Sequence, residues 1–499
     1  MTEALSFSSV LVANRGEIAV RILRTVQAMG LRGLVAYHPA DAASPAVAMA
    51  DQAIEIDGKT PVAAYLDGAQ ILAKAIAASA GAIHPGYGFL SENAGFARAV
   101  ERAGLVFIGP SPEAIELMGD KVTARNFVAA RGFPVAPSAI EDDDPASFLD
   151  RARAVGAPLL IKPAAGGGGK GMRIVRDLAL LEPEVERARS EGQRYFGDGR
   201  LYVERYIERP RHIEVQVLGD AHGAVVHLFE RECSLQRRFQ KIVEETPSPA
   251  LDEATRLRIC ETAADIARAA GYRNAGTVEF IFSAGASGTP EFYFLEMNTR
   301  LQVEHPVTEA VTGVDLVAEQ LRIASGQALG YGQDAIVRRG HAVELRIYAE
   351  DAARDFSPTT GPVLVYAPPS GPGVRVDSGV REGQAVTAAF DPMLAKLIVH
   401  AGTREAALDL ADTALEDFVL LGCRTNIGFL RRLIADPDVR AGRMHTDLIA
   451  EKPQLAADPA PDPLALAKVL AIAALSTRAV TDAALAVPAL HAAIGDWLN

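Results

Sequence analysis

From Ser8 the chain alternates short apolar, β-branched runs with stretches of helical periodicity. SSVLVAN leads into a helical stretch at 18–29, and GLVAYH, ADQAIEI, a helical stretch at 69–78 and GAIHPG follow, the pattern closing near LVFIGPS at 105–111. Strands alternating with helices in this way wind into a parallel sheet, because each return to the same edge needs a crossover. Residues 1–120 therefore read as an N-terminal wound parallel α/β domain.

The pattern then changes. After the acidic break at 141–145, PLLIKPAAGGGGKGMRIV reads as a strand, a mobile glycine loop and a second strand, a small lobe of about 134–206 within a domain of 121–335. HIEVQVLG and AVVHLFE resume the strand signal, a helix is expected over 253–270, and TVEFIF and EFYFLEMN read as a hairpin joined by the turn-rich stretch 283–290. A further lobe over 336–451 mixes strands such as VELRIYAE with the turn APPSGPG and a helical run, so a C-terminal mixed α+β domain is expected. PQLAADPAPDP then opens a linker and an alanine- and leucine-rich helical tail, 452–499.

At 499 residues the chain exceeds one ordinary core, so several non-identical lobes are expected. Its 63 acidic residues outnumber 50 basic ones, which disfavours nucleic acid as a partner. Cys233, Cys260 and Cys423 are odd in number and far apart, which points to neither a disulfide framework nor a paired-cysteine metal site and fits a reducing cytoplasm. The N-terminus has an acid at Glu3 and no long apolar run, and the apolar stretch 464–475 is broken by Lys468, so no signal peptide or membrane anchor is expected.

Candidate chemistry lies in the middle of the chain. Gly166, Gly167, Gly168 and Gly169, followed by Lys170 and Gly171, lie between two strand-like runs and would let backbone N–H groups approach phosphate oxygens, although an ordinary flexible turn has the same composition. Lys162 ends the apolar run PLLIK and Lys121 opens a helix. Each is either a solvated lysine or the partner of a buried anion. Glu296 and Asn298 share one face of a strand, and hairpin pairing brings Glu279 to them, a hard-oxygen set suited to Mg²⁺; the alternative is the polar face of a half-exposed hairpin. If the chain stays extended beyond Asn298, Arg300, Gln302 and Glu304 align behind it, an arrangement able to bind a small anion and take its proton. His305 should face away, as a core or turn histidine.

ANRGEIAVRI at 13–22, HPGYGFLSEN at 84–93, MGDK at 118–121, the glycine run, PRHIEVQV at 210–217 and FLEMNTRLQVEHPVTE at 294–309 together resemble biotin carboxylases, over nearly the whole stretch from Ser8 to about Glu451. The resemblance implies a multi-domain ATP-grasp fold that clamps ATP between the glycine lobe and the central lobe. It implies phosphate contacts from Lys121 and Lys162, an adenine hinge at Glu204 and Ile207, and completion of the nucleotide site by His212 and Gln236. Glu279 and Glu296, with Asn298 close by, correspond to the Mg²⁺ or Mn²⁺ site; Lys241, Arg300, Gln302 and Val303 to the bicarbonate pocket; Glu304 to the base; and Arg346 to the arginine that steadies the biotin enolate. Two positions depart from the family: Phe239 stands where histidine is common and Arg205 where lysine is common.

The implied reaction is ATP-driven activation of bicarbonate to carboxyphosphate and carboxyl transfer to biotin. The biotin would be borne by a separate carrier domain or subunit, since no methionine here adjoins a lysine as in a biotinyl turn. A carboxyltransferase subunit, and a homo-oligomer or larger complex, follow as implied partners. The tail and GCRTNIGFLRRLI point to the α-subunit of an acyl-CoA carboxylase of methylcrotonyl-, propionyl- or acetyl-CoA type. Another biotin-dependent carboxylase and a non-carboxylating ATP-grasp ligase are the alternatives. ANRGE carries no dinucleotide glycine fingerprint, which argues against a dehydrogenase.

Overall fold

The computed structural model describes residues 5–141, 144–163, 172–196, 198–284, 290–458 and 463–476. The chain divides into two units, Met1–Leu455 and Ala456–Asn499. Among its described residues the second unit holds a helix, Pro463–Ser476. No helix among the described residues is long and apolar enough to cross a membrane.

The N-terminal alternation folds as its pattern predicts. β1 (Ser9–Val12), β2 (Arg32–Tyr37), β3 (Gln52–Glu55), β4 (Ala82–His84) and β5 (Val106–Phe107) form a parallel sheet in the order β3-β2-β1-β4-β5. Beyond Ser9, β1 is apolar because both its faces are covered. Val10 and Val12 cluster with Ile18, Ile22 and Val26 of α1 (Gly16–Ala28), while Leu11 clusters with Ile71, Ala75 and Val100 on the opposite side. Strand order reverses at β1, and there Asn14 donates to the carbonyls of Pro85 and Tyr87, both at 2.7 Å, tying the ends of β1 and β4 together.

A second, antiparallel sheet holds β6 (Ser138–Ile140), β7 (Leu159–Pro163), β8 (Arg173–Val175) and β9 (Leu201–Arg205) in the order β6-β9-β7-β8. It has its own core of Phe148, Leu159, Ile161, Leu181, Val185 and Val203. Gly166, Gly167, Gly168 and Gly169 lie outside the described residues.

The central sheet has eight antiparallel strands. They are β10 (Arg211–Gly219), β11 (Val225–Arg237), β12 (Gln240–Thr246), β13 (Asn274–Ser283), β14 (Glu291–Asn298), β15 (His341–Tyr348), β16 (Val374–Ser378) and β17 (Met393–Ala401), in the order β14-β13-β10-β11-β12-β15-β17-β16. Ile213, Val215 and Val217 of β10 and Val278 and Phe280 of β13 pack on Ile259, Ala263 and Ile266 of α3 (Glu253–Ala269, with α2 being Lys121–Ala129). Each valine, isoleucine and phenylalanine among them contributes about 1.5–3 kcal/mol by burial. Strand parity sends His212, Glu214, Gln216, Thr277 and Glu279 to the opposite face, and Glu214, Gln216, Thr277 and Glu279 are buried as well. Burying such groups is unfavourable unless each finds a partner, so this face must be a matched polar network. Three strands of the 336–451 region, β15, β16 and β17, extend the central sheet through the pairing of β15 with β12, which brings Arg346 into that network, while other short strands of that region pair in two-stranded sheets.

Candidate active site

Register assembles the acidic hub. Glu279 of β13 lies opposite Glu214 of β10 on one side and Glu296 of β14 on the other, and Thr277 lies opposite Asn298. The Glu279 carboxylate accepts from Asn298 Nδ2 at 2.7 Å, Lys241 Nζ at 2.9 Å and Gln302 Nε2 at 3.1 Å, and lies 2.8 Å from His212 Nε2. Burial opposes ionisation of Glu279, but Lys241 and His212 outweigh it and hold the carboxyl well below the usual range. Burial also pushes His212 down, and Glu279 overcomes this, leaving the imidazole raised.

The segment after Asn298 departs from the extended chain expected of it. β14 ends at Asn298, residues 299–304 form no ladder, and Glu304 is the N-cap of α4 (His305–Thr312), with Pro306 in the first turn. Side-chain ties replace the ladder: Arg300 donates to Asn298 Oδ1 at 3.0 Å, Gln302 Oε1 at 2.8 Å and Glu92 Oε2 at 3.0 Å. Arg300, Gln302 and Glu304 still converge, through loop geometry rather than a period of two. His305 is buried, bonds the Gln302 carbonyl through Nδ1 at 2.7 Å, and is pushed well below its ordinary value by burial, so it stays a neutral turn histidine.

Glu304 is fully buried between two cations. Lys241 Nζ donates to its Oε1 at 2.7 Å and Arg346 Nη2 to its Oε2 at 3.0 Å. Burial raises the carboxyl, while Lys241, Arg346 and Arg231 together outweigh it and hold Glu304 well below the usual carboxylate range. Lys241 also reaches Glu214, so one ammonium joins three carboxylates, and although burial lowers it these partners raise it well above its ordinary value. Arg346 Nε donates to Glu244 at 2.6 Å. Burial lifts Glu244 to about 7 against the pull of Arg346.

The residues expected around a nucleotide divide between this hub and the second sheet. Lys121, the first residue of α2, contacts Glu296 Oε2 at 2.6 Å; Asp120 caps that helix by accepting from Thr123 N at 2.8 Å. Lys162 of β7 pairs with Glu204 of β9, and Ile207 follows that strand, half-buried. Gln236 Nε2 lies 3.0 Å from His212 Nδ1, and His212 Nε2 faces Glu279. Glu279 and Glu296, opposed carboxylates whose present partners are cations and amides, are a donor set suited to a hard divalent ion.

Several members of the network escaped sequence reasoning. Arg231, with no solvent exposure, pairs with Glu214 and donates to Gln216 and Thr308 at 2.9 Å and Thr277 at 3.1 Å. Glu214 was legible as the residue two beyond His212 in HIEVQVLG and Glu92 as a member of HPGYGFLSEN; Arg231 and Glu244 carry no local signal. Phe239, one of the two departures, is 75% exposed at the tip of the β11–β12 hairpin. Arg205, the other, closes β9 with Glu291 3.9 Å away.

The chain is similar to known proteins over most of its length. The family described as "Biotin carboxylase, N-terminal domain" matches residues 6–115, "Carbamoyl-phosphate synthase L chain, ATP binding domain" matches 120–331 and "Biotin carboxylase C-terminal domain" matches 344–451. The biotin carboxylase of Halalkalibacterium halodurans is 49% identical over 447 residues, 89% of this chain and 97% of that protein. The alpha chain of the mitochondrial methylcrotonoyl-CoA carboxylase of Rattus norvegicus is 46% identical over 448 residues, 89% of this chain but 62% of that protein, so the chain spans under two thirds of that longer relative. The biotin carboxylase domain dimer of Hydrogenobacter thermophilus 2-oxoglutarate carboxylase, solved with MgADP, ADP and bicarbonate, superposes with a TM-score of 0.83 at 42% identity, covering 92% of this chain and 100% of that one. With Lys241, Glu279, Glu304 and Arg346 drawn into one buried network, and with relatives of this kind matching about nine tenths of its length, the chain belongs to the biotin carboxylase family.

Proposed function

We propose that this chain carboxylates carrier-bound biotin, using bicarbonate and ATP, as the biotin carboxylase component of an acyl-CoA carboxylase. The observation that carries the reading is Glu304: a buried carboxylate, kept ionised, 2.7 Å from Lys241 and 3.0 Å from Arg346, on the loop that also bears Arg300 and Gln302. In the proposed reaction bicarbonate takes the place of Glu304 as partner of Lys241 and binds with Arg300, Gln302 and the Val303 backbone. Glu304, relieved of part of its positive surroundings, becomes basic enough to accept the bicarbonate proton. The anion's oxygen then attacks the γ-phosphorus of ATP, whose phosphates are held by Lys121, Lys162 and the glycine run 166–169, giving carboxyphosphate and ADP. A divalent cation held by Glu279, Glu296 and Asn298 would offset phosphate charge.

Carboxyphosphate divides into CO₂ and phosphate, phosphate removes the ureido N–H proton of biotin, and the resulting anion attacks CO₂ while Arg346 stabilises its oxygen. Glu204 and Ile207 line the adenine end, with His212 and Gln236 beside the phosphates. The lobe of about 134–206 closes over ATP and keeps water from the labile intermediate. The chemistry assigned to this chain ends at carboxybiotin, and we assign the acyl acceptor and its carboxylation to a carboxyltransferase subunit. Relatives as different as the methylcrotonoyl-CoA enzyme of rat and a pyruvate carboxylase component of Methanothermobacter thermautotrophicus, 46% and 45% identical, accord with that division.

Glu304→Gln keeps shape and removes the proton acceptor. It is expected to slow bicarbonate-dependent ATP cleavage by roughly 10²–10⁴ while nucleotide binding persists. Turnover at the wild-type rate in saturating bicarbonate would overturn the assignment of the base.

A further inference from the structure

Residues 299–304 carry the proposed anion pocket but lack a strand ladder, so something else must hold their backbone. Thr299 N donates to Glu92 Oε1 at 3.1 Å, and the Gln302 carbonyl accepts from His305 Nδ1. The next carbonyl, that of Val303, accepts from Lys396 Nζ at 2.5 Å, a donor 93 residues away in sequence. Lys396 lies in β17 opposite Arg346 and has no solvent exposure. Its ammonium faces Glu17 Oε2 of α1 at 3.5 Å and Glu344 Oε1 of β15 at 4.0 Å, and neither of those oxygens has a hydrogen-bond partner. These two acids lie farther from the ammonium than the loop carbonyl does, and the short contact goes to that carbonyl.

We propose that Lys396 is a positioning residue for bicarbonate activation. The Val303 carbonyl shares one rigid peptide plane with the Glu304 N–H, so pinning that oxygen sets the direction in which Glu304 leaves the loop and, through the preceding peptide, the placement of Gln302. Helix α1, through Glu17, and strand β17, through Lys396, thereby meet behind the base rather than at it. This inference rests on the reading of Arg300, Gln302 and Glu304 as the bicarbonate site.

The test measures steady-state ATP cleavage with free biotin at varied bicarbonate and varied MgATP. Lys396→Met keeps length and removes the donor; kcat/KM for bicarbonate is expected to fall about 10–100-fold, the scale of a small misplacement of a catalytic group, with KM for MgATP unchanged. The triple variant Glu17→Gln/Glu344→Gln/Lys396→Met also removes the two acids that lose their cation, so it restores balance at the site if the single variant folds poorly. A purely structural lysine would be cured by that balance, and normal bicarbonate kinetics in the triple variant would overturn the proposal. Gln302→Leu is the control for the pocket itself. If Gln302→Leu weakens bicarbonate use while both Lys396 variants do not, positioning is refuted and the pocket stands; if none of the three does, the pocket reading fails and the proposal with it.

Discussion

Arg231 and Glu17 show how single buried charges shape the centre. Arg231 is enclosed by Glu214, Gln216, Thr277 and Thr308 without touching solvent. Removing one member of a buried pair strands the other, so Arg231→Leu is expected to destabilise the fold by about 3–5 kcal/mol in urea unfolding, and a loss under about 1 kcal/mol would contradict the network. Glu17 is raised by burial from 4.5 to about 7, against the opposing pull of Lys396. The folded state therefore retains a proton that the unfolded chain releases between those values. Wild-type stability relative to Glu17→Gln should accordingly fall as pH rises from 4.5 to 7, by roughly 3 kcal/mol in all, and level off above. A difference that stays constant across that window, or grows, would refute the burial account.

At the scale of elements the β11–β12 hairpin is informative. Arg237 pairs with Gln240 across a two-residue turn in which Arg238 and Phe239 have φ of 50° and 65°. A turn with both central residues left-handed matches strand twist but suits asparagine and glycine, and a bulky side chain is strained there. Arg237 is nevertheless clamped by Glu350, with both bonds at 2.9 Å, so the hairpin holds its form. Phe239→Asn should raise stability by roughly 0.5–1 kcal/mol, read as a higher Tm; a lower Tm would show that the ring makes compensating contacts.

Which elements could be read from the chain follows from how local their causes are. The wound N-terminal sheet, the β13–β14 hairpin and the helix opening at Lys121 were legible because alternation, turn residues and the Asp120 cap are written within a few residues. The approach of Arg300, Gln302 and Glu304 was also expected, but for a reason the loop at 299–304 does not share. Lys396 was hidden because DPMLAKLIV reads as an ordinary buried strand, and only pairing of β15 with β12 shows what its ammonium can reach. Side-chain partners distant in sequence leave no periodic trace.

In the whole molecule, the β6-β9-β7-β8 sheet has its own core and joins the central sheet's margin through the Val135–Phe294 bridge. If that lobe closes on nucleotide, hydrogen exchange in β7 and β9, which carry Lys162 and Glu204, should slow when MgATP is added; unchanged exchange would argue against closure. The central claim concerns chemistry, and the most direct measurement supplies ¹⁴C-bicarbonate, MgATP and free biotin to the purified chain. Acid-labile label should appear on biotin together with ADP, and both should vanish in Glu304→Gln. Cleavage of ATP without bicarbonate, with no label on biotin in the wild-type chain, would contradict the account.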